Sequence, residues 1–238
     1  MLFIHGHPFD RTMWTPQLDH FGGTAVSLRG YRSGLPATGT TPFSTFAHDV
    51  AGLVPPGKPV VLCGLSMGGQ IAMEFHRLYP DRVRALILAD TTALPETPES
   101  RTARLDTADR LRREGIEPYA REVLDRMVLP RNAEASEFVL EMMLRAPAMG
   151  AAAAQRGRAD RPDYRESLMA NPVPTLVIVG DQDSYTPVEE AAQIPATKLV
   201  VIEDAAHLPN LEQPASFNQA LADFLSEQEI PHPLRPIP

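Results

Sequence analysis

Residues 60–70 read Val-Val-Leu-Cys-Gly-Leu-Ser-Met-Gly-Gly-Gln. The apolar run at the start predicts a buried strand, and the residues that follow Ser66 have the spacing of a helix. In this context a Gly-x-Ser-x-Gly motif lifts a serine clear of a sheet on a sharp strand-to-helix turn. Side chains two positions to either side would collide with the turn, which explains Gly64 and Gly68. The stretch therefore predicts Ser66 as a nucleophile, the alternative being an ordinary glycine-rich turn with a spectator serine.

Similar apolar runs lie on either side of this motif. Most are continuous rather than alternating, as expected for strands that are buried on both faces. Segments with helical spacing separate them, and strands that alternate with helices predict an α/β fold with a doubly wound, mostly parallel sheet. The predicted strands are residues 2–5, 24–28, 59–63, 83–89, 175–179 and 198–202, and the predicted helices are residues 43–53, 67–79, 188–193 and 214–225.

Charge density divides the chain. Residues 94–169 contain 13 Lys/Arg and 14 Asp/Glu among 76 residues, whereas the other 162 residues contain 25 charged side chains. This segment predicts three or four helices inserted into a core made of residues 1–93 and 170–238. Its arginines alternate with acids, so we expect them on solvent-exposed faces, whereas its methionines and Phe138 either pack between helices or line a substrate cavity. The expected helix starts are Ser100, Pro118, Asn132 and Pro147, and the expected stops are Gly115 and Pro130.

The composition disfavours several classes of protein. Thirty acidic against 22 basic residues give a net charge of −8, which opposes binding to nucleic acid or to an anionic membrane. No apolar run approaches the ~20 residues that span a bilayer, and we expect no secretory signal. The single cysteine, Cys63, forbids an intrachain disulfide and is expected to fill the core. These features predict a cytoplasmic protein, with an extended or disordered Pro-rich tail at residues 231–238.

A serine hydroxyl is a poor nucleophile without a base. Of the seven histidines, His207 lies just after the last predicted strand, at the carboxyl edge where sites gather in parallel sheets. It is therefore the predicted base. His5 is expected to make structural hydrogen bonds at the end of its strand. Four others are expected to be surface or capping residues, namely His20, His48, His76 and His232.

The third member of such a site is a buried carboxylate that holds the imidazole in one tautomer. Residues 179–183 read Val-Gly-Asp-Gln-Asp after a predicted strand and offer two candidates. Asp183 is preferred, and Asp181 stays open as an alternative. Asp90, which directly follows the strand predicted at residues 83–89, is the third candidate.

Residues 5–8 read His-Gly-His-Pro after the first predicted strand. The proline favours an extended His7, whose backbone N–H could face that of Met67 across a carbonyl oxygen. Two such donors form an oxyanion hole. The alternative interpretation, a metal site made of His5, His7 and Asp10, normally needs further ligands nearby, and none follows Asp10.

Together these motifs resemble the α/β-hydrolase superfamily. The similarity rests on residues 5–8, 64–69, 180–187 and 207–214 and on the order of nucleophile, acid and base along the chain. Residues 207–214, together with residues 156–164, are most similar to esterases and enol-lactonases of the group that contains 3-oxoadipate enol-lactonase. The resemblance implies a helical cap at residues 94–169, with no cofactor and no metal. The family usually has two more strands before the first one predicted here, so we expect a sheet without them and an uncovered edge near the second predicted strand.

The resemblance also implies the roles of the site residues: Ser66 is the nucleophile, Asp183 the acid and His207 the base, with the N–H groups of His7 and Met67 as oxyanion donors. We therefore expect a serine hydrolase that cleaves small carboxylic esters or lactones through an acyl-enzyme. A cofactor-free perhydrolase (haloperoxidase) and a carbon–carbon bond hydrolase are alternatives with the same three residues. A non-catalytic protein that binds a small molecule is the alternative from a different class. The oligomeric state stays open.

Overall fold

The computed structural model describes residues 1–37 and 39–231. Within them the strands are β1 (Leu2–Ile4), β2 (Thr24–Val26), β3 (Val60–Leu65), β4 (Val83–Ala89), β5 (Thr175–Gly180) and β6 (Lys198–Ile202). They form one sheet in the order β2-β1-β3-β4-β5-β6, and every neighbouring pair is parallel. The predicted α/β fold with a parallel sheet is confirmed.

Most of the helices that frame the sheet were predicted. The exceptions outside the inserted segment are two short helices, α1 with seven residues and α10 with four. In the described part of the chain the helices are α1 (Thr15–Phe21), α2 (Phe43–Leu53), α3 (Met67–Leu78), α4 (Pro98–Glu114), α5 (Glu117–Met127), α6 (Ala133–Leu144), α7 (Ala148–Arg158), α8 (Arg165–Ala170), α9 (Val188–Ala191), α10 (Pro209–Glu212) and α11 (Pro214–Glu227).

The core consists of two apolar layers, one on each face of the sheet. Successive side chains of a strand point to opposite faces, so each central strand contributes to both layers. In β3, Val61 and Cys63 enter the layer that contains α1 and α11, and Leu62 enters the layer that contains α2 and α3. The sheet is therefore doubly wound, as predicted. Cys63 is fully buried, and burial raises the pKa of its thiol, which agrees with its predicted place in the core.

The edge strands are less covered than the central ones. β2 forms one edge and β6 the other, and Leu199 and Val201 of β6 are 39% and 42% exposed. In contrast, β3, β4 and β5 are buried almost throughout. Because all six strands are parallel, the loops that follow them meet at a single carboxyl edge, and this edge positions the candidate site.

Five helices, α4 to α8, lie between β4 and β5, rather than the three or four expected. α4 packs against α7, α5 packs against α6, and α8 packs against α3. The prediction that Ser100 caps the first of them is wrong. Thr97 is the N-cap of α4, and Ser100 completes a capping box in which each side chain accepts from the other's backbone N–H. Asn132 caps α6, and Gly115 ends α4 at φ 83°, both as predicted.

His232 and all but the first residue of the predicted Pro-rich tail lie outside the described residues. Where the chain is described, no helix combines the length and the apolar character that crossing a membrane requires.

Candidate active site

Ser66 lies on the sharp turn between β3 and α3. Its φ of 54° and ψ of −116° are rare for a residue with a side chain and store strain. The surrounding chain holds this conformation, because the Ser66 N–H donates to the Ala89 carbonyl (2.8 Å) and the Thr91 hydroxyl donates to the Ser66 carbonyl (2.7 Å). The predicted strand–turn–helix is therefore present, with the serine at its tip.

Gly64 and Gly68 allow this turn to close. A Cβ on Gly64 would overlap the carbonyl of Gly68, and a Cβ on Gly68 would overlap the carbonyl of Ile4. Both obstacles are backbone atoms, which cannot swing aside as the end of a side chain can. The turn therefore requires glycine at both positions, as the motif predicted.

Asp183 and His207 follow β5 and β6 and meet at the carboxyl edge of the sheet. His207 Nδ1 lies 2.8 Å from Asp183 Oδ2, and both side chains are buried. The other Asp183 oxygen accepts from the Tyr185 N–H (2.7 Å), so the carboxylate is held from two sides. Asp181, the alternative two residues earlier, is exposed and accepts from the Ala205 N–H (3.2 Å). Because Nδ1 of His207 is bonded to Asp183, its Nε2 is the ring nitrogen left for another partner.

Ser66 and His207 line the same cavity, which has a volume of about 320 Å³. This volume is at the lower end of the ~300–1,000 Å³ typical of small-molecule sites. Residues that follow the strands supply part of its wall, and α4, α5 and α7 of the inserted segment supply another part. The structure thus brings the predicted nucleophile and the predicted base to one small space.

Asp90, the third candidate acid, lies beside the Asp183–His207 pair. Side-chain atoms of the three residues lie within 4.8 Å of one another. Asp90 is fully buried, and its Oδ1 accepts from the Gly180 N–H (2.9 Å). Burial and the neighbouring Asp183 carboxylate raise the pKa of Asp90 well above its ordinary value, because two carboxyl groups in contact away from water do not both ionise. A protonated Asp90 donates a hydrogen bond to Asp183, whereas a metal ligand would have to be ionised.

The backbone N–H groups of His7 and Met67 are both unoccupied. Met67 is the first residue of α3, and the N–H groups of a first turn have no partner within the helix. His7 follows β1, the neighbour of β3 in the sheet. Across residues 1–37 and 39–231, neither of the two N–H groups has an acceptor. The two predicted oxyanion donors are thus free and lie at the ends of adjacent strands.

His5 and Asp10 are engaged in separate local bonds. His5 is fully buried; its Nδ1 bonds to the carbonyl of the next residue (2.9 Å), and its Nε2 accepts from the Leu28 N–H (3.2 Å). Its predicted structural role is confirmed, and burial lowers its pKa to about 4. Asp10 accepts from the Thr12 N–H (2.8 Å). These bonds leave no reason to group His5, His7 and Asp10 as metal ligands.

The His7 side chain has a feature that the sequence did not indicate. Its Nδ1 lies 2.7 Å from the Tyr31 hydroxyl, and in the described part of the chain its buried Nε2 has no hydrogen-bond partner. Burial first, and then the positive charges of Arg158 and Arg104, lower the pKa of His7 well below its ordinary value. The imidazole is therefore neutral at pH 7, and because His7 lines the cavity, its Nε2 can bond to a polar atom of a bound molecule.

Three arginines of the inserted segment line the cavity, namely Arg104, Arg158 and Arg161. The prediction of solvent-exposed faces is wrong for Arg158 and Arg161, which are 9% and 7% exposed. For Arg158 the cause is α7, whose four consecutive alanines at residues 151–154 are buried, so that Arg158, one turn later, enters the interior. Arg161 follows α7 and bonds to Glu96 and to the Leu94 carbonyl. The alanine run was the signal, since small residues allow a helix to pack closely. Other arginines, such as Arg121, form exposed ion pairs as predicted.

The methionines of the inserted segment divide between the two roles that were left open. Met127 of α5 lines the cavity. In contrast, Met142, Met143 and Phe138 of α6 pack in the apolar layer that contains α11. In the described part of the chain, α6 therefore contributes to the core and not to the wall of this cavity.

Two of the remaining histidines are where they were expected. His48 is exposed and bonds to the Tyr79 hydroxyl, and His20 is half-buried in the last turn of α1. The predicted surface position is wrong for His76, which is fully buried. The reason is that α8 packs against α3 and covers it.

Known proteins share this fold and part of this sequence. A model of the alpha/beta hydrolase family matches residues 1–220. The 3-oxoadipate enol-lactonase 2 of Acinetobacter baylyi is 27% identical over 234 residues, which cover 93% of this chain and 86% of that protein. The pimeloyl-[acyl-carrier protein] methyl ester esterase of Yersinia enterocolitica is 28% identical over 243 residues, which cover 95% and 93%. A thermophilic esterase from Thermogutta terrifontis, solved with malate bound, is 39% identical with a TM-score of 0.90, covering 95% of this chain and 89% of the other.

Proposed function

Because the family model matches residues 1–220, this chain belongs to the alpha/beta hydrolase family, and we propose that it hydrolyses small carboxylic esters or lactones through an acyl-enzyme on Ser66. The observation that carries the proposal is the bonded Asp183–His207 pair, which opens onto the cavity that Ser66 lines. The similarity to two esterases and an enol-lactonase supports an ester or lactone as the bond that is cleaved.

In the proposed first half-reaction, Ser66 Oγ bonds to the carbonyl carbon while its proton passes to His207 Nε2. Asp183 fixes the tautomer in which Nε2 is free to accept that proton, and it stabilises the imidazolium that forms. The carbonyl oxygen becomes an oxyanion, and the free N–H groups of His7 and Met67 bind it. Such a donor contributes about 3–4 kcal/mol in the transition state. The imidazolium then protonates the leaving alcohol as the carbon–oxygen bond breaks.

The second half-reaction reverses these roles with water. Water attacks the acyl carbon and gives a proton to His207 Nε2, which passes it to Ser66 Oγ as the carboxylic acid leaves. In a lactone the alcohol stays attached to the acyl group and leaves with it. The named groups supply every proton transfer, so the proposal includes neither a cofactor nor a metal.

Hydrolysis of 4-nitrophenyl acetate and of δ-valerolactone tests this function. We expect turnover by the wild-type chain, and a fall in kcat of roughly 10⁴-fold or more in Ser66→Ala. Ser226→Ala removes an exposed serine hydroxyl near the end of α11 and is the matched control that keeps full activity. A folded wild-type chain that hydrolyses neither compound contradicts the proposal. Halogenation in acetate and peroxide that outpaces ester hydrolysis would favour the perhydrolase instead.

A further inference from the structure

The Arg158 guanidinium is a buried cation that forms no ion pair with the described residues. The residue is 9% exposed, its Nε is fully enclosed, and its side chain lines the cavity. Within residues 1–37 and 39–231 this side chain has no hydrogen-bond acceptor and forms no ion pair, and the Glu96 carboxylate acts on it only from a distance. An ionised group buried without a partner carries a large desolvation penalty. Packing alone would favour an apolar side chain at this position.

The acids around Arg158 do not supply the missing charge. The Glu96 carboxylate is shared by two other arginines, 2.7 Å from Arg104 Nε and 2.8 Å from Arg161 Nη1. Burial opposes its ionisation, but these two arginines hold the pKa of Glu96 below its ordinary value. Glu190, the other acidic residue on the cavity wall, is half-buried and acts on Arg161. Three arginines therefore face two acids, and the surplus positive charge lies at Arg158.

The position of Arg158 in its helix does not explain the charge. Arg158 ends α7, where the negative end of the helix dipole favours a cation. Arg156, in the same turn, already supplies a cation there and is paired with Asp109. Burial, followed by the charges of Arg104 and Arg161, lowers the pKa of Arg158 to about 9. The guanidinium thus stays cationic at pH 7, and a bound anion would relieve its desolvation.

We propose that the substrate is an ester or lactone that also carries a carboxylate, and that Arg158 binds this carboxylate. The inference rests on the proposed function of Ser66. A guanidinium presents a planar fork of N–H donors that matches the two oxygens of a carboxylate. Arg158 and Ser66 line one cavity of about 320 Å³, so a small substrate reaches both. Arg158 holds the end of the substrate that does not react, and thereby selects anionic over neutral esters.

Two substrate pairs test this selection, each with an anionic and a neutral member of similar size. 4-Nitrophenyl hemisuccinate and 4-nitrophenyl pentanoate place the carboxylate on the acyl side. 4-Carboxyphenyl acetate and 4-carbamoylphenyl acetate place it on the leaving group. We expect the wild-type chain to prefer the anionic member of at least one pair by roughly tenfold or more in kcat/KM, since a charge-assisted contact is made with that member alone.

Arg158→Met removes the charge and keeps the length of the side chain. We expect it to lower kcat/KM for the preferred anionic substrate by roughly 30-fold, mainly through KM, and to change the neutral partner by less than about threefold. Arg158→Lys keeps the charge and should retain part of the preference. Arg110→Met is the matched control, because Arg110 of α4 forms partly exposed ion pairs with Glu114 and Glu122, and it should change neither substrate.

Two measurements separate this inference from the proposed function. Calorimetry with glutarate on the Ser66→Ala chain measures carboxylate binding without turnover, and we expect binding that Arg158→Met abolishes. Because Arg158→Met removes an unpaired buried cation, we also expect its Tm to equal or exceed that of the wild-type chain.

Neutral esters hydrolysed with no anionic preference in either pair would overturn the carboxylate site and leave the hydrolase function standing. Equal losses for both members of a pair in Arg158→Met, together with a lower Tm, would overturn it as well and assign Arg158 a structural role. Glutarate binding that depends on Arg158, in a chain that cleaves no ester, would support the carboxylate site and contradict only the hydrolase function.

Discussion

The carboxyl edge of the sheet and the inserted helices line one cavity, but they differ in whether their charged side chains are paired. At the edge, Asp183 is bonded to His207 and to a backbone N–H, and Asp90, whose pKa is raised by burial and by Asp183, lies beside it. In the inserted segment, Glu96 is shared by two arginines and Arg158 has no partner among the described residues. A hydrogen-bonded pair such as Asp183–His207 holds a fixed geometry, whereas an unpaired cation favours a ligand that brings the missing charge. We therefore expect the edge to perform the reaction and the inserted helices to select the substrate.

Asp183→Asn tests the bonded cluster most strongly. The amide would hold His207 in the wrong tautomer, so we expect kcat for 4-nitrophenyl acetate to fall roughly 10⁴-fold, with KM little changed. Asp181→Asn alters the exposed carboxylate two residues earlier and is the control, with an expected change of less than about threefold. A fall of less than about tenfold in Asp183→Asn would mean that Asp90, and not Asp183, supplies the carboxylate that orients His207.

Asp90→Gly and Asp90→Asn test whether the Asp90 carboxyl acts as a hydrogen-bond donor to Asp183. Both residues tolerate the positive φ of 45° at this position. Glycine removes the acceptor of the Gly180 N–H and the carboxyl group beside Asp183, so we expect kcat to fall roughly 10- to 100-fold. Asparagine replaces the protonated carboxyl with an amide donor and should stay within about threefold. Equal losses in the two variants would show that Asp90 acts as an ionised group.

The pH dependence of stability tests whether Asp90 is protonated in the folded chain. The pKa of Asp90 in the folded chain is raised above its ordinary value of 3.8. Its contribution to the free energy of unfolding is therefore complete below about pH 4 and is lost as the pH rises through the folded pKa. In urea unfolding between pH 4 and pH 8, we expect the wild-type chain to lose this stability relative to Asp90→Asn. A constant difference between the two chains would contradict a protonated Asp90.

Gly157→Ala tests how the inserted helices are held, and its expected effect is the smallest. A Cβ on Gly157 would overlap the Thr41 carbonyl, so α7 would have to shift. We expect a loss of about 1–3 kcal/mol in urea unfolding, with a higher KM and an unchanged kcat because the edge is not touched. Gly52→Ala, in α2, has open space for its Cβ and should be neutral or stabilising by up to about 1 kcal/mol. Equal stability of the two variants would mean that α7 is not fixed at this contact.

The two regions also differ in what the amino-acid sequence predicts about them. Ser66 and His207 could be found because a parallel sheet brings the ends of its strands to one edge, whatever the loops between them do. Asp183 and Asp181 are two residues apart on the same loop. Choosing between them depended on the direction of each carboxylate, which local sequence does not specify.

The alanine run at residues 151–154 indicates that α7 is closely packed, but the burial of Arg158 depends on which parts of the chain α7 packs against, and local sequence does not specify this. The same limit explains His76, whose helix is covered by α8. Thr97 and Ser100 both favour N-caps, so sequence alone did not show which of them begins α4. Each of these outcomes depends on tertiary contacts rather than on local pattern.

The reactivity of Ser66 toward a fluorophosphonate tests whether this serine is an activated nucleophile. The probe loses fluoride and bonds to an activated serine oxygen, so intact-mass and peptide-mapping spectrometry reports both the extent and the site of labelling. We expect one label per wild-type chain, on Ser66, and none on Ser66→Ala. A folded wild-type chain that stays unlabelled, or a label on another residue, would contradict an activated serine at the edge of this sheet.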